Sequence, residues 1–220
     1  MCDRFNLTAD LTELNDRYRL SKTMFYYAND RSLRPQQPIT AITAKGNERI
    51  LDEFRWGLMP FWAQDSVLVD SEAIYDKRAF DHLLKRQRCI IPASSFDRVT
   101  SLGRKKEQVQ RYMTNDGQTF AMAGVYDVWS GSFGEELRTC SILIKRIQNN
   151  ETGSMETVPF IMNEEQADTW LDTELFDKSA LYRWMRTVEL PPLRLLPDSW
   201  QDMADSQDQE DGAAAAHGIG

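Results

Sequence analysis

Apolar residues along this chain recur at two spacings, one helical and one strand-like, and the changes between them divide the sequence into elements. Leu11, Leu14 and Tyr18 fall on one helical face, with Thr8 or Asp10 placed to cap it. Pro35-Gln-Gln-Pro38 breaks the chain before an extended run from Ile39 to Thr43, and Arg49 to Trp56 also reads as extended. A short amphipathic helix is predicted from Arg78 to Arg86, feeding an apolar strand at Cys89-Ile90-Ile91. Gln108 to Met113 and Thr119 to Val128, joined by Asn115-Asp116-Gly117, predict a hairpin, and Arg138 to Ile147 is expected to add a third strand. Asn163 with Gln166 three residues on resembles a helix start ahead of Ala167, Trp170 and Leu171. A last helix is predicted from Lys178 to Thr187, stopped by Pro191-Pro192. Strands in the middle with helices at the flanks predict an α+β class: one domain with a mostly antiparallel sheet or barrel core.

Length and composition fit that class, since 220 residues with 41% hydrophobic and 27% charged are ordinary for a globular domain with a real core. No apolar run reaches the roughly 18 residues of a membrane helix and the N-terminus has no secretion pattern, so a cytosolic protein without membrane contact is expected. The net charge of −8 argues at first against nucleic acid, whose phosphates need Lys and Arg. Six of the 34 acidic residues lie in the tail from Asp198, which holds no Lys or Arg, leaving 28 acidic against 26 basic residues, a body charge of −2. Residues 198–220 are expected to be a disordered acidic tail and residues 1–197 the folded domain. Basic residues gather at Lys77-Arg78, at Lys85-Arg86-Gln87-Arg88 and at Arg104-Lys105-Lys106, runs that are usually solvated faces. Cys2, Cys89 and Cys140 fit neither a disulfide framework nor a zinc site, so no metal is expected, and Cys89 and Cys140 read as small core residues.

Cys2 is the candidate for chemistry. Removal of Met1 would make it the N-terminus, with an α-amine of pKa about 7.7–8.0 beside a thiol of about 8.5. The amine can condense with an aldehyde to an imine, releasing water, and the thiol can then add to the imine carbon to close a thiazolidine ring. Against this, residue 2 of most chains is a frayed and inert position.

Five segments carry a family resemblance: Cys2-x-Arg4-Phe5, Arg55-Trp-Gly-Leu-Met-Pro-Phe-Trp62, Arg88-Cys-Ile-Ile-Pro-Ala93, Phe120-Ala-Met-Ala-Gly-Val-Tyr-Asp127 and Val158-Pro-Phe-Ile-Met162. Their order and spacing resemble the SRAP family, the SOS response-associated peptidases or abasic-site processing proteins, over about residues 1–197. The resemblance implies that Cys2 crosslinks to the ring-opened aldehyde of an abasic site in single-stranded DNA, without a cofactor, in a monomer. It implies DNA contacts from Arg4, Pro35, Trp62, Phe96 and Arg98, with Glu72 in a supporting and buried place. Other parts of the family pattern are replaced. Its Asn-Ala-Arg-x-Glu motif aligns with Leu68-Val69-Asp70-Ser71-Glu72, its active-site glutamate with Arg98, and its histidine with Met155. His82 reads as a surface residue and no other histidine outside the tail can stand in. Asp3 replaces a usual glycine, and its carboxylate would raise the pKa of a nearby thiol or amine.

Lost acid and base groups are worth about 10²–10⁴-fold in rate, so proximity alone could still let Cys2 react. Three readings follow: an abasic-site crosslinking protein with a rewired site, a non-catalytic DNA-binding or regulatory module on the same fold, and an amide hydrolase with Cys2 as N-terminal nucleophile.

Overall fold

The structure is a computed structural model and describes residues 2–60, 63, 66–101, 107–148, 153–175 and 177–197, without the side chains of Asp30, Arg31, Ser101 and Glu107. Fourteen strands and four α-helices occur among these residues. The chain runs β1 (Arg4–Leu7), α1 (Leu11–Tyr18), β2 (Lys22–Thr23), β3 (Asp30–Leu33), β4 (Pro38–Lys45), β5 (Glu48–Trp56) and β6 (Leu68–Asp70). Two single 3-10 turns then lead into α2 (Asp81–Arg86), β7 (Arg88–Ala93), β8 (Ser95–Ser101), β9 (Glu107–Thr114), β10 (Phe120–Ser130) and β11 (Glu136–Gln148). The described chain ends with β12 (Met155–Pro159), β13 (Ile161–Met162), α3 (Glu164–Leu171), α4 (Lys178–Thr187) and β14 (Leu193–Leu195).

Strands β4, β5, β11, β10 and β7 close into a ring. Four of its seams are antiparallel, and the fifth is a short parallel pairing in which Thr139 and Cys140 of β11 face Arg55 and Trp56 of β5. Packing at the ring is tight where β10 carries Gly124, because a Cβ there would lie 2.4 Å from Ile91 Cδ1 and 3.0 Å from Cys89 Sγ. Cys89 and Cys140 are fully buried free thiols, as core residues should be.

The second sheet has the order β14-β9-β8-β1-β3. It grows out of the barrel, because β7 continues through Ser94 directly into β8. The expected hairpin of β9 with β10 does not form: the turn at Asn115–Gly117 is present, with Gly117 at φ 71°, but it carries the chain from one sheet to the other. Burial explains the split. Phe120 to Val125 is buried at every residue and needs neighbours on both edges, which β7 supplies on one side and β13 and β11 on the other, whereas β9 is mostly part-buried and pairs with β8 and β14. The expected third strand, β11, does pair with β10.

Helices follow the sequence closely. Asp10 caps α1, its Oδ1 accepting from Glu13 N at 2.8 Å, and Leu14 and Tyr18 are its buried face. Asn163 and Gln166 form a reciprocal capping box at the start of α3. Trp170 is fully buried, donates from its indole to Cys89 O at 2.9 Å and stacks on Trp184 of α4, so one side chain fastens both helices to β7. Among the described residues no helix is long and apolar enough to cross a membrane.

Candidate functional site

Cys2 sits immediately before β1, and the strand pairing determines what surrounds it. Arg4 faces Asp97 and Phe5 faces Phe96 across β1 and β8, while Asp3 N donates to Asp97 O at 3.0 Å and Asp3 Oδ2 accepts from Val99 N at 2.9 Å. The side chain of Asp3 thus stitches the entrance of β1 to β8. Cys2 itself is 1% exposed, its Sγ lying 3.8 Å from Arg4 O. Burial first, and then the carboxylate of Asp3, push its thiol far above the ordinary range. The expected effect of Asp3 on the thiol therefore has the right sign, with desolvation the larger cause.

Arg4 is not a free phosphate contact. Its Nε donates to Asp97 Oδ2 at 2.6 Å, and Arg111 of β9 reaches the same carboxylate through Nε at 2.8 Å and Nη2 at 3.0 Å. Register makes this row, since Asp97 faces Arg4 on one neighbour and Arg111 on the other. Phe96 is also corrected: it is fully buried and stacked on Tyr112 at 5.4 Å, so its ring belongs to the core and not to a base-stacking surface. Glu72 is exposed rather than buried, its N–H donating to Asp70 Oδ1 at 2.9 Å. Pro35 is half-buried in the turn after β3, the strand beside β1. Trp62 lies outside the described residues, as do Arg104-Lys105-Lys106 and the acidic tail. His82 is exposed on α2, as expected.

Arg98 lies one residue beyond Asp97 on β8 and connects this corner to β12. Its Nη1 donates to Glu156 Oε2 at 2.8 Å and its guanidinium lies over the Tyr112 ring at 5.3 Å, while its buried Nε has no hydrogen-bond partner. Asp70 forms a comparable pair with Arg146 at 2.6 Å. Both positions where the family's charge is inverted therefore have an opposite charge beside them, Glu156 next to Arg98 and Arg146 next to Asp70. Met155, in the place of the family's histidine, is 66% exposed at the start of β12 and offers no proton. Arg98, Arg146 and Glu156, with Lys145 and Tyr112, line one cleft of about 620 Å³ closed on its far side by the segment from Glu189 to Leu193. Sequence reasoning missed Asp97, Arg111, Arg146 and Glu156. Their only sequence signal is a charged residue in the middle of a strand, which names no partner. Among the described residues, no group of three His, Cys, Asp or Glu could hold a metal ion.

Comparison with known proteins follows the same outline. The sequence matches the family described as SOS response associated peptidase (SRAP) over residues 1–197, and the chain belongs to that family. It is 28% identical over 189 residues to the abasic site processing protein YoqW of Bacillus subtilis, an alignment covering 82% of this chain and 84% of that one. It is 31% identical over 182 residues to the abasic site processing protein YoaM of the same organism, covering 78% and 79%. A crystal structure of a protein from Bacteroides thetaiotaomicron has the same fold, with a TM-score of 0.71 at 20% identity, covering 91% of this chain and 94% of that one.

Proposed function

We propose that this chain processes abasic sites in single-stranded DNA, with Cys2 as the nucleophile that captures the lesion's aldehyde. The observation that carries the reading is the placement of Cys2. It keeps the second position of the chain, at the head of a strand held in register against the β8 residues that lead to the charged cleft. Once Met1 is removed, the free α-amine condenses with the aldehyde and releases water, and the thiol adds to the imine to close the thiazolidine. For the flanking phosphates to be held, Arg98 and Arg146 must exchange their present partners Glu156 and Asp70 for them. Burial of Cys2 means that the head of β1 must open for the sugar to reach it, so slow capture is expected.

One observation favours a second reading. With Cys2 buried, its thiol pushed up and Arg4 held by Asp97, the chain could bind the lesion without a covalent step. Intact mass after incubation with an abasic single-stranded oligonucleotide separates the two. An adduct equal to protein plus oligonucleotide less one water, present in protein lacking Met1 and absent in Cys2→Ala, supports capture. Salt-sensitive binding without any adduct after long incubation overturns it in favour of the binding module.

A further inference from the structure

A second cleft, of about 400 Å³, lies between the turn joining β4 to β5, the end of α2 and the end of α3. It shares no lining residue with the cleft beside Arg98, and Cys2 is not among its walls: Arg88 opens β7, whereas Arg98 lies on β8 beyond the bend at Ser94. Four cations from three elements line it, Lys45 from β4, Lys85 and Arg86 from α2, and Arg88 from β7, and among the described residues no acidic one lines it. The single acidic residue of α2, Asp81, is engaged by Lys178 at 2.5 Å. Three of the cations, Lys85, Arg86 and Arg88, thus belong to a basic run whose ordinary role is a solvated face, but here the run borders a concavity.

Arg88 settles the polarity of that concavity. It is 6% exposed, and its guanidinium donates to Trp170 O at 2.6 Å, Leu84 O at 2.8 Å, Lys85 O at 3.1 Å and Asp172 O at 2.5 Å. The carbonyls at the C-terminal end of α2, which would repel an anion, are occupied by a cation. These four acceptors are all backbone carbonyls, and the Asp172 side chain is the carboxylate whose charge acts on the guanidinium. Burial lowers its pKa to about 10, so it stays charged at neutral pH. Tyr126 and Thr173 also line the cleft. The volume falls in the range of small-ligand pockets, about 300–1,000 Å³, and a buried cation lined alongside by Lys45, Lys85 and Arg86 suits a phosphate.

We propose that this cleft is a phosphate-binding site of mononucleotide size, separate from the corner that holds Cys2. The phosphate could belong to a free nucleotide or to a nucleic-acid strand, and the test distinguishes these sources. The whole chain is titrated at low salt by calorimetry with inorganic phosphate, adenosine 5′-monophosphate and a short undamaged oligonucleotide, beside Cys2→Ala and the double variant Lys45→Glu, Lys85→Glu. Saturable binding of the monophosphate that the double variant weakens at least about tenfold, and that Cys2→Ala leaves unchanged, supports a nucleotide site. Binding of the oligonucleotide alone, with the same dependence on the lysines, supports a phosphodiester in the cleft. No saturable binding of any of the three, or binding as tight in the lysine variant as in the wild type, overturns the proposal. Circular dichroism checks that the double variant folds, and Lys45→Ala and Lys85→Ala, singly, replace it if it does not.

Discussion

Asp97 is the residue whose loss should be felt most widely. Its side chain is fully buried and accepts three charged contacts, from Arg4 at 2.6 Å and from Arg111 at 2.8 and 3.0 Å, and the two arginine side chains are only 12% and 7% exposed. Asp97→Asn keeps the shape and removes the charge, taking away the carboxylate that two largely buried guanidinium groups share. Breaking a buried pair in this way costs about 3–5 kcal/mol, and the amide oxygen, which can still accept a bond, places Asn at the lower end of that range and Ala at the upper. A domain of this size is stable by only about 5–15 kcal/mol, so the loss is a large fraction of the whole. At about 2–4 °C per kcal/mol the melting temperature should fall by about 6–20 °C. Urea unfolding followed by tryptophan fluorescence measures the loss directly. Native labelling of Cys2 by iodoacetamide gives a second readout, since β1 is held to β8 through Arg4 and should open more often in the variant. An Asp97→Asn protein within about 1 kcal/mol of the wild type, with Cys2 labelling at the same rate, would refute the reasoning.

Three further outcomes are expected. Gly124→Ala puts a methyl group 2.4 Å from Ile91 Cδ1 and 3.0 Å from Ser141 O, and should cost about 1–3 kcal/mol in urea unfolding; an unchanged midpoint would mean that the barrel yields there. Asn163→Ala removes the capping box of α3 and should cost about 1 kcal/mol in the same assay without changing the fold by circular dichroism. Burial raises the thiol pKa of Cys2, Cys89 and Cys140, so the unfolded chain releases protons that the folded chain keeps. Stability from these groups is present below the ordinary thiol value of about 8.5 and is lost as pH rises above it, by up to about 1.4 kcal/mol per pH unit for each thiol. Unfolding midpoints at pH 7 and pH 9.5 check this, and a midpoint that holds or rises at pH 9.5 contradicts it.

Local signals were legible in the sequence and pairwise ones were not. Asn163 with Gln166 announces α3 because both halves of the capping box lie within one turn, and Lys178 to Thr187 is bounded as its periodicity suggests. β9 and β10 each show strand character, but alternation does not name a partner, and the most probable turn in the chain joins two different sheets. The candidate site divides in the same way. Cys2 was visible because its chemistry depends on position alone. Arg4 was visible as a cation, but its occupation by Asp97, 93 residues away, depends on the register of β1 with β8. The charge-compensating pairs Arg98–Glu156 and Asp70–Arg146 are likewise contacts across strands. Read singly, Arg98 and Asp70 are losses. Read with their partners, each has an opposite charge beside it.

The passage of β7 into β8 through Ser94 gives the two sheets a common fate. Ser94 N donates to Asn6 O and Ser94 Oγ accepts from Thr8 N, so the same residue that bends the ribbon also ties down the far end of β1. The cysteine at the head of β1 can therefore be no steadier than the barrel strand from which its sheet extends.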